Sequence, residues 1–319
     1  MMLFYSLFLW FIFMSIIMAL SSSSLFFLWL CMEINMMSFI PLMLSKNFMS
    51  MNMIMLYFLV QSSASSIYIF SISMFFINSQ ILQNLSILIN ISMLMKLGAA
   101  PFHMWFPLVS ESLSYNMLSI LLTIQKMIPL YILSLFISNL VLFPIIISAT
   151  VGSFGGFNQF SIRKILAFSS ISHLAWIMTL QLLESNFWFI YLLLYSTIVM
   201  TIIMAFNIHF INFYNFSKKI NPSLNLLLIF MLLSLGGMPP TLGFAMKWMT
   251  LKIISKYMMI LSIPLILSSL INLFFYLRIS YNSMMKFNNF YKWEKSMLYK
   301  LIAIISSQLM IIFILIPWL

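Results

Sequence analysis

Four ionisable side chains lie where charge is expensive. Glu33, Lys96, Lys126 and Lys247 each fall inside a stretch of about 20 apolar residues, long enough to cross a lipid bilayer. A charge near the bilayer centre is disfavoured by about 2.5–3.5 kcal/mol on insertion scales, so an intramembrane ionisable group points to a site by default. An amine taken out of water holds its proton less firmly, and a carboxylate brought close restores the hold. Changing the distance between the two then takes up or releases a proton. Two plainer readings compete: snorkelling of a long side chain from a helix end, and a structural ion pair that orients two helices. The mid-span positions of Glu33 and Lys96 weigh against snorkelling. Larger cations need several oxygen ligands, and a lone membrane carboxylate in a chain without Asp suits neither sodium nor calcium. Proton transfer is the chemistry these residues fit.

Two of the lysines adjoin sequence that breaks helices. Lys96 opens KLGAAPFHMWFP, with Gly98, Pro101 and Pro107; Lys247 closes LGGMPPTLGFAMKW, with Gly236, Gly237, Pro239 and Pro240. Proline removes a backbone donor and collides with the preceding turn, and glycine loosens the helix. Both spans are therefore expected to be discontinuous at depth, leaving helix ends inside the membrane where they can hold ions or water.

The rest of the chain has to place these elements. Of its 319 residues 64% are hydrophobic and 6% charged, too little polar material to cover a water-soluble globule. Clusters of Ser, Asn, Lys and Pro cut it into eleven apolar spans. These lie near 3–20, 25–44, 52–76, 81–107, 112–136, 139–157, 160–183, 187–212, 223–252, 258–282 and 299–318. The class is an all-α polytopic membrane protein. The broken spans are the fourth of the first five and the fourth of the next five. Five is odd, so two such sets run in opposite directions, the pattern of inverted repeats with broken helices at corresponding positions. The alternative is coincidence, since Gly and Pro are common in membrane helices. The implied division is 1–138 for the first repeat, 139–282 for the second, and 283–319 for a basic loop and a last span.

An odd number of spans puts the termini on opposite sides. Lys46, Arg163, Lys164, Lys218, Lys219, Lys286, Lys292, Lys295 and Lys300, with Arg278 near the same face, fall on the N-terminal side; the other loops hold Lys252 and Lys256. The positive-inside rule then puts the N-terminus in the compartment from which the chain was inserted, and explains most of the net charge of +11 without nucleic acid. The opening run MMLFYSLFLWFIFMSIIMAL lacks the basic start and cleavage site of a signal peptide and reads as a retained first span. One cysteine, Cys31, cannot hold an iron–sulfur cluster, a thiolate zinc site or an internal disulfide. No GxGxxG motif or P-loop is present, so neither NADH nor flavin is expected to bind, and no metal site is expected.

Five segments carry a resemblance to a known family. WLCMEINMMSFIPL at 29–42, LMKLGAAPFHMWFP at 94–107, IQKMIPL at 124–130, GGFNQFSIRKILAFSSISHLAW at 155–176 and SLGGMPPTLGFAMKW at 234–248 resemble the second-subunit family of mitochondrial respiratory complex I, the proton-pumping NADH:ubiquinone oxidoreductase, in an arthropod-like version. The 31 methionines agree with an animal mitochondrial gene, in which a codon usually read as Ile is read as Met. The resemblance implies an antiporter-like fold lacking the family's first three helices. It implies that Glu33 and Lys96 form the family's Glu–Lys pair, that Lys126 is the central connecting lysine, and that Lys247 is the lysine of the second broken helix, near the exit. It implies proton translocation from matrix to intermembrane space across the mitochondrial inner membrane, with the N-terminus in the matrix. NADH, FMN, iron–sulfur clusters and ubiquinone would be bound by other subunits, and the partners would be other membrane-arm subunits. Ile124 and Ile128, in place of the family's usual Trp and Ala, and Ala175, in place of a common Gly, depart from the pattern.

Smaller expectations attach to two histidines. His103 is either a proton relay or a cap for the broken helix. His173, with Ser169, Ser170 and Ser172, either orders water or makes interhelical hydrogen bonds. The stretch MKFNNFYKWEKSMLYK at 285–300 reads as an interface anchor, with cardiolipin or a neighbouring subunit as further candidates. Two rival functions remain open: a stand-alone cation/proton antiporter of the same fold, and a structural scaffold whose lysines only pair helices.

Overall fold

The computed structural model describes residues 2–44, 48–77, 82–208, 222–239 and 241–284. Lys46, Lys218, Lys219, Lys286, Lys292, Lys295 and Lys300, the anchor segment and the span expected at 299–318 lie outside the described residues. The described chain is built from thirteen α-helices in this order: α1 Met2–Ser21, α2 Leu25–Met43, α3 Phe48–Ile77, α4 Leu82–Leu97, α5 Trp105–Ser112, α6 Tyr115–Leu122, α7 Met127–Leu135, α8 Leu142–Phe157, α9 Ile162–Leu182, α10 Phe187–Ile208, α11 Pro222–Gly236, α12 Leu242–Tyr257 and α13 Ser262–Met284.

Eight segments among the described residues are long and apolar enough to cross a membrane, and two apolar helices, Leu85–Leu97 and Leu227–Gly236, are only half that length. The short ones are those that end at the two Gly–Pro interruptions, so ten of the eleven expected spans lie at the expected places. Helices prevail because a backbone in lipid must satisfy its own polar groups. The many serines obey the same rule: Ser15, Ser71 and Ser92 donate to the carbonyls of Ile12, Tyr68 and Ile89, three residues back. Large apolar side chains such as Phe4, Trp10, Phe76, Phe143, Ile263 and Leu270 remain exposed, as expected of surface facing lipid or apolar protein.

The fifth span is not the continuous helix its composition suggests. A 3₁₀ turn over Ile124–Lys126 divides it into α6 and α7. Pro129 is the cause: its ring displaces the carbonyl four residues back, that of Gln125, and it offers no N–H in return. The ninth span also runs longer than expected, because α12 continues to Tyr257 and carries Lys252 and Lys256 on a helix rather than in a loop.

The chain forms two compact units, Met1–Ser148 and Ala149–Leu319, with the division inside α8. In the first, α1 packs on α2, α3 packs on α2, α4 and α5, and α4 lies against α7. In the second, α9 is almost wholly buried and is packed by α10, α12 and α13, while α11 lies against α10, α12 and α13.

Gly243 sets the closeness of α11 and α12: a Cβ there would run into the carbonyl oxygen of Ser234. Gly243→Ala is expected to destabilise the second unit by about 1–3 kcal/mol, the usual range for overpacking. The measurement is thermal unfolding of the chain in membranes, and an unchanged midpoint would show that the approach is not tight.

Candidate functional site

In the first unit the site is built around the end of α4. Gly98 adopts a φ of +66, a left-handed conformation that glycine tolerates and that lets the chain turn out of the helix. The Gly98 N–H donates to the Met95 carbonyl at 3.2 Å and the Ala99 N–H to the Leu94 carbonyl at 3.1 Å, the bond pair of a Schellman closure. Side-chain donors add to this closure. The Trp105 indole N–H reaches the Met95 carbonyl at 3.2 Å, and the Gln61 amide of α3 reaches the Lys96 carbonyl at 3.3 Å. His103 lies within the break: its Nδ1 donates to the Pro101 carbonyl at 3.3 Å, and its own carbonyl accepts from the Phe106 N–H at 3.0 Å.

Lys96 leaves this helix end with only 8% of its surface exposed. Its ammonium donates to the thioether of Met32 at 3.4 Å. Glu33, the next residue on α2, acts on it electrostatically, yet the two form no direct ion pair. The Glu33 Oε1 is buried and has no hydrogen-bond partner among the described residues. Carboxylate and ammonium therefore lie within electrostatic range of each other without direct contact.

Lys126, 2% exposed, stands on the 3₁₀ turn that Pro129 creates. Its ammonium lies over the face of the Phe106 ring, 5.3 Å from the centroid. Such a contact contributes about 2 kcal/mol when desolvated. Beside it the Gln125 amide donates to Asn35 Oδ1 at 2.9 Å, and Asn35 is two residues beyond Glu33 on α2. One helix therefore touches the surroundings of both amines, through Met32 at Lys96 and through Asn35 at the Lys126 turn.

The second unit repeats the closure and changes the position of the lysine. Gly237, at φ +86, donates to the Ser234 carbonyl at 3.2 Å, and Met238 to the Leu233 carbonyl at 3.2 Å. Lys247 sits on α12, beyond the break, and its ammonium reaches back to the Gly236 carbonyl at 2.7 Å. A cation at a helix C-terminus meets the negative end of the helix dipole. Lys247 is 6% exposed. Elsewhere in this unit the His173 Nδ1 and the Tyr191 hydroxyl are 2.8 Å apart, and the Asn272 amide donates to the Ser172 hydroxyl at 2.6 Å. Ser169 and Ser170 donate to the Leu166 and Ala167 carbonyls of their own helix. Interhelical hydrogen bonding, the plainer of the two expectations for His173, is what the geometry contains.

Sequence reasoning singled out the charged residues and missed their neighbours. Met32, Asn35, Gln61, Phe106, Gln125, Tyr191 and Asn272 carry no mark of their own in an apolar sequence. Only Pro129, four residues after Gln125, signalled the turn that holds Lys126. Among the described residues no three His, Cys, Asp or Glu side chains gather as a metal site.

Comparison with known proteins adds four findings. Residues 22–272 match the family described as NADH:quinone oxidoreductase/Mrp antiporter, transmembrane. The chain is 43% identical over 297 residues to NADH-ubiquinone oxidoreductase chain 2 of Anopheles gambiae, covering 86% of each sequence. A chain in the structure of respiratory complex I from Thermus thermophilus superposes with a TM-score of 0.85 at 17% identity, over 99% of this chain and 79% of that one. A chain of the Mrp complex from Dietzia sp. gives 0.74 at 16% identity, over 84% of this chain and 58% of that one. At such identities the structural likenesses are likenesses of fold.

The Asn35–Gln125 bond is testable through energetics. Asn35→Ala and Gln125→Ala should each destabilise the first unit, and the double substitution should lose less than the sum, with a coupling of about 1 kcal/mol. Strict additivity in thermal unfolding would show that the bond joins nothing.

Proposed function

The chain belongs to the transmembrane NADH:quinone oxidoreductase/Mrp antiporter family, and we propose that it carries protons as a membrane-arm subunit of respiratory complex I in the mitochondrial inner membrane. Its share of the mosquito subunit, 86%, against 58% of the Mrp chain, favours the complex I reading over a stand-alone antiporter. The partners are other subunits of the membrane arm, with lipids, cardiolipin among them, at the basic C-terminal segment. NADH, FMN, iron–sulfur clusters and ubiquinone belong to other subunits. The N-terminus lies on the matrix side.

One observation carries the reading: three lysines are buried among apolar helices, each beside an interruption of its own span. A scaffold would pair such charges directly, since an uncompensated buried ion is strongly destabilising. Here Lys96 meets a thioether, with the Glu33 carboxylate in electrostatic range and one of its oxygens free to accept. A signal from a neighbouring subunit alters the Glu33–Lys96 distance, the charge state of Lys96 follows, and the proton passes by way of Lys126. Lys247, held by a helix-end carbonyl, is the residue on the outward side. Energy reaches the chain as conformation or electrostatics, because the redox chemistry is elsewhere.

Neutral substitutions test this in the assembled enzyme. Lys96→Met, and Lys247→Gln, which keeps an N–H donor for the Gly236 carbonyl, should leave assembly near normal and lower proton translocation coupled to NADH oxidation by at least about tenfold, a step of about 1.4 kcal/mol in the barrier. The double variant Glu33→Leu with Lys96→Leu should stay inactive, whereas a merely structural pair would be rescued by two apolar residues. Normal pumping by Lys96→Met would end the proposal.

A further inference from the structure

We propose that Phe106 is the positioning residue for Lys126, holding its ammonium on the ring face and tying it to the break at Gly98; this rests on the reading of Lys126 as a proton carrier. The ring is 1% exposed and confined from several sides. Behind it stands Gly98, where a Cβ would come within 3.0 Å of the Phe106 Cβ, so the left-handed glycine is also what leaves the ring its place. Beside it the Trp105 ring meets it edge to face at 5.4 Å, and the Trp105 indole N–H is anchored on the Met95 carbonyl at the end of α4. Trp105 in turn touches Tyr57 of α3 at 5.9 Å, and Tyr57 touches Phe39 of α2 at 5.5 Å. The ring that faces Lys126 is thus fixed by the same few residues that close the broken helix.

The choice of an aromatic face has a chemical reason. A carboxylate in this place would pair with the ammonium and compete for its proton. The quadrupole of a phenyl ring attracts the cation, yet offers no basic atom to receive a proton. The ring attracts the amine while it is protonated and loses that attraction once the proton has left, and it never competes for the proton itself. Since Phe106 leans on Gly98, a movement of the break moves the ring beneath Lys126, which places Lys126 under the influence of the helix end that carries Lys96.

Four substitutions at one position separate ring from bulk. In the assembled enzyme, proton translocation per complex should fall about five- to thirtyfold in Phe106→Leu and Phe106→Met, the range given by 1–2 kcal/mol of lost cation–π attraction. Phe106→Tyr and Phe106→Trp should stay within about twofold of the parent. Equal pumping by the aliphatic and aromatic sets overturns the inference, and so does failure of both aliphatic variants to assemble, because the ring would then serve packing alone. Lys126→Met is the reference: if it pumps normally, the proton line itself fails, whereas its loss with Phe106→Leu intact overturns only the role of the ring.

Discussion

Inside a membrane a carbonyl that loses its helical partner cannot turn to water, and it is disfavoured by several kcal/mol unless protein supplies a donor. The two interruptions of this chain are answers to that constraint. At α4 the turn at Gly98 returns two backbone N–H groups to the Leu94 and Met95 carbonyls, the Trp105 indole adds a second donor at Met95, and the Gln61 amide takes the Lys96 carbonyl. At α11 two backbone N–H groups do the same, and the third donor is the Lys247 ammonium. The buried amine of the second unit is therefore part of how its broken helix is made tolerable. Structure and chemistry use the same bond.

How far this was legible depends on the range over which each feature acts. Breaks are local events: LGAAP and LGGMPP announce them in a few residues, and a lysine in an apolar run is conspicuous without any partner. Span boundaries are nearly as local, being set by the polar clusters between runs. What stayed hidden joins distant positions. Gln61 serves a carbonyl 35 residues away and Gln125 binds an asparagine 90 residues back. Helices that are apolar on every side give no periodicity from which a facing partner can be read. The departure of the fifth span from one helix to two lay between these cases. Its cause, Pro129, is local, but a single proline in a long apolar stretch is outweighed by the composition around it.

The same contrast bears on the histidines. His103 and His173 stand out among 319 residues because titratable groups are so few, yet their surroundings are ordinary for membrane helices. One bonds to a carbonyl two residues back in the loop within the break, and the other shares a hydrogen bond with Tyr191 on the next helix. Rarity marks a residue as worth attention; the partner decides what it does.

The two broken helices close by the same bond pattern but treat their lysines differently, and the difference gives the proposed proton line a direction of control. Lys247 faces a helix-end carbonyl, which carries part of a permanent dipole and changes only if the break itself opens. Lys96 faces a thioether, a weak acceptor, with the Glu33 carboxylate near but not in contact. A small shift of α2 would change the Coulomb attraction at Lys96 a great deal, because the surroundings screen poorly. The same shift would pull on Asn35 and, through Gln125, on the turn bearing Lys126. In the first unit the sensitive element is thus a helix that grips one amine by electrostatics and the next by a hydrogen bond, and that is where an outside signal has the most leverage.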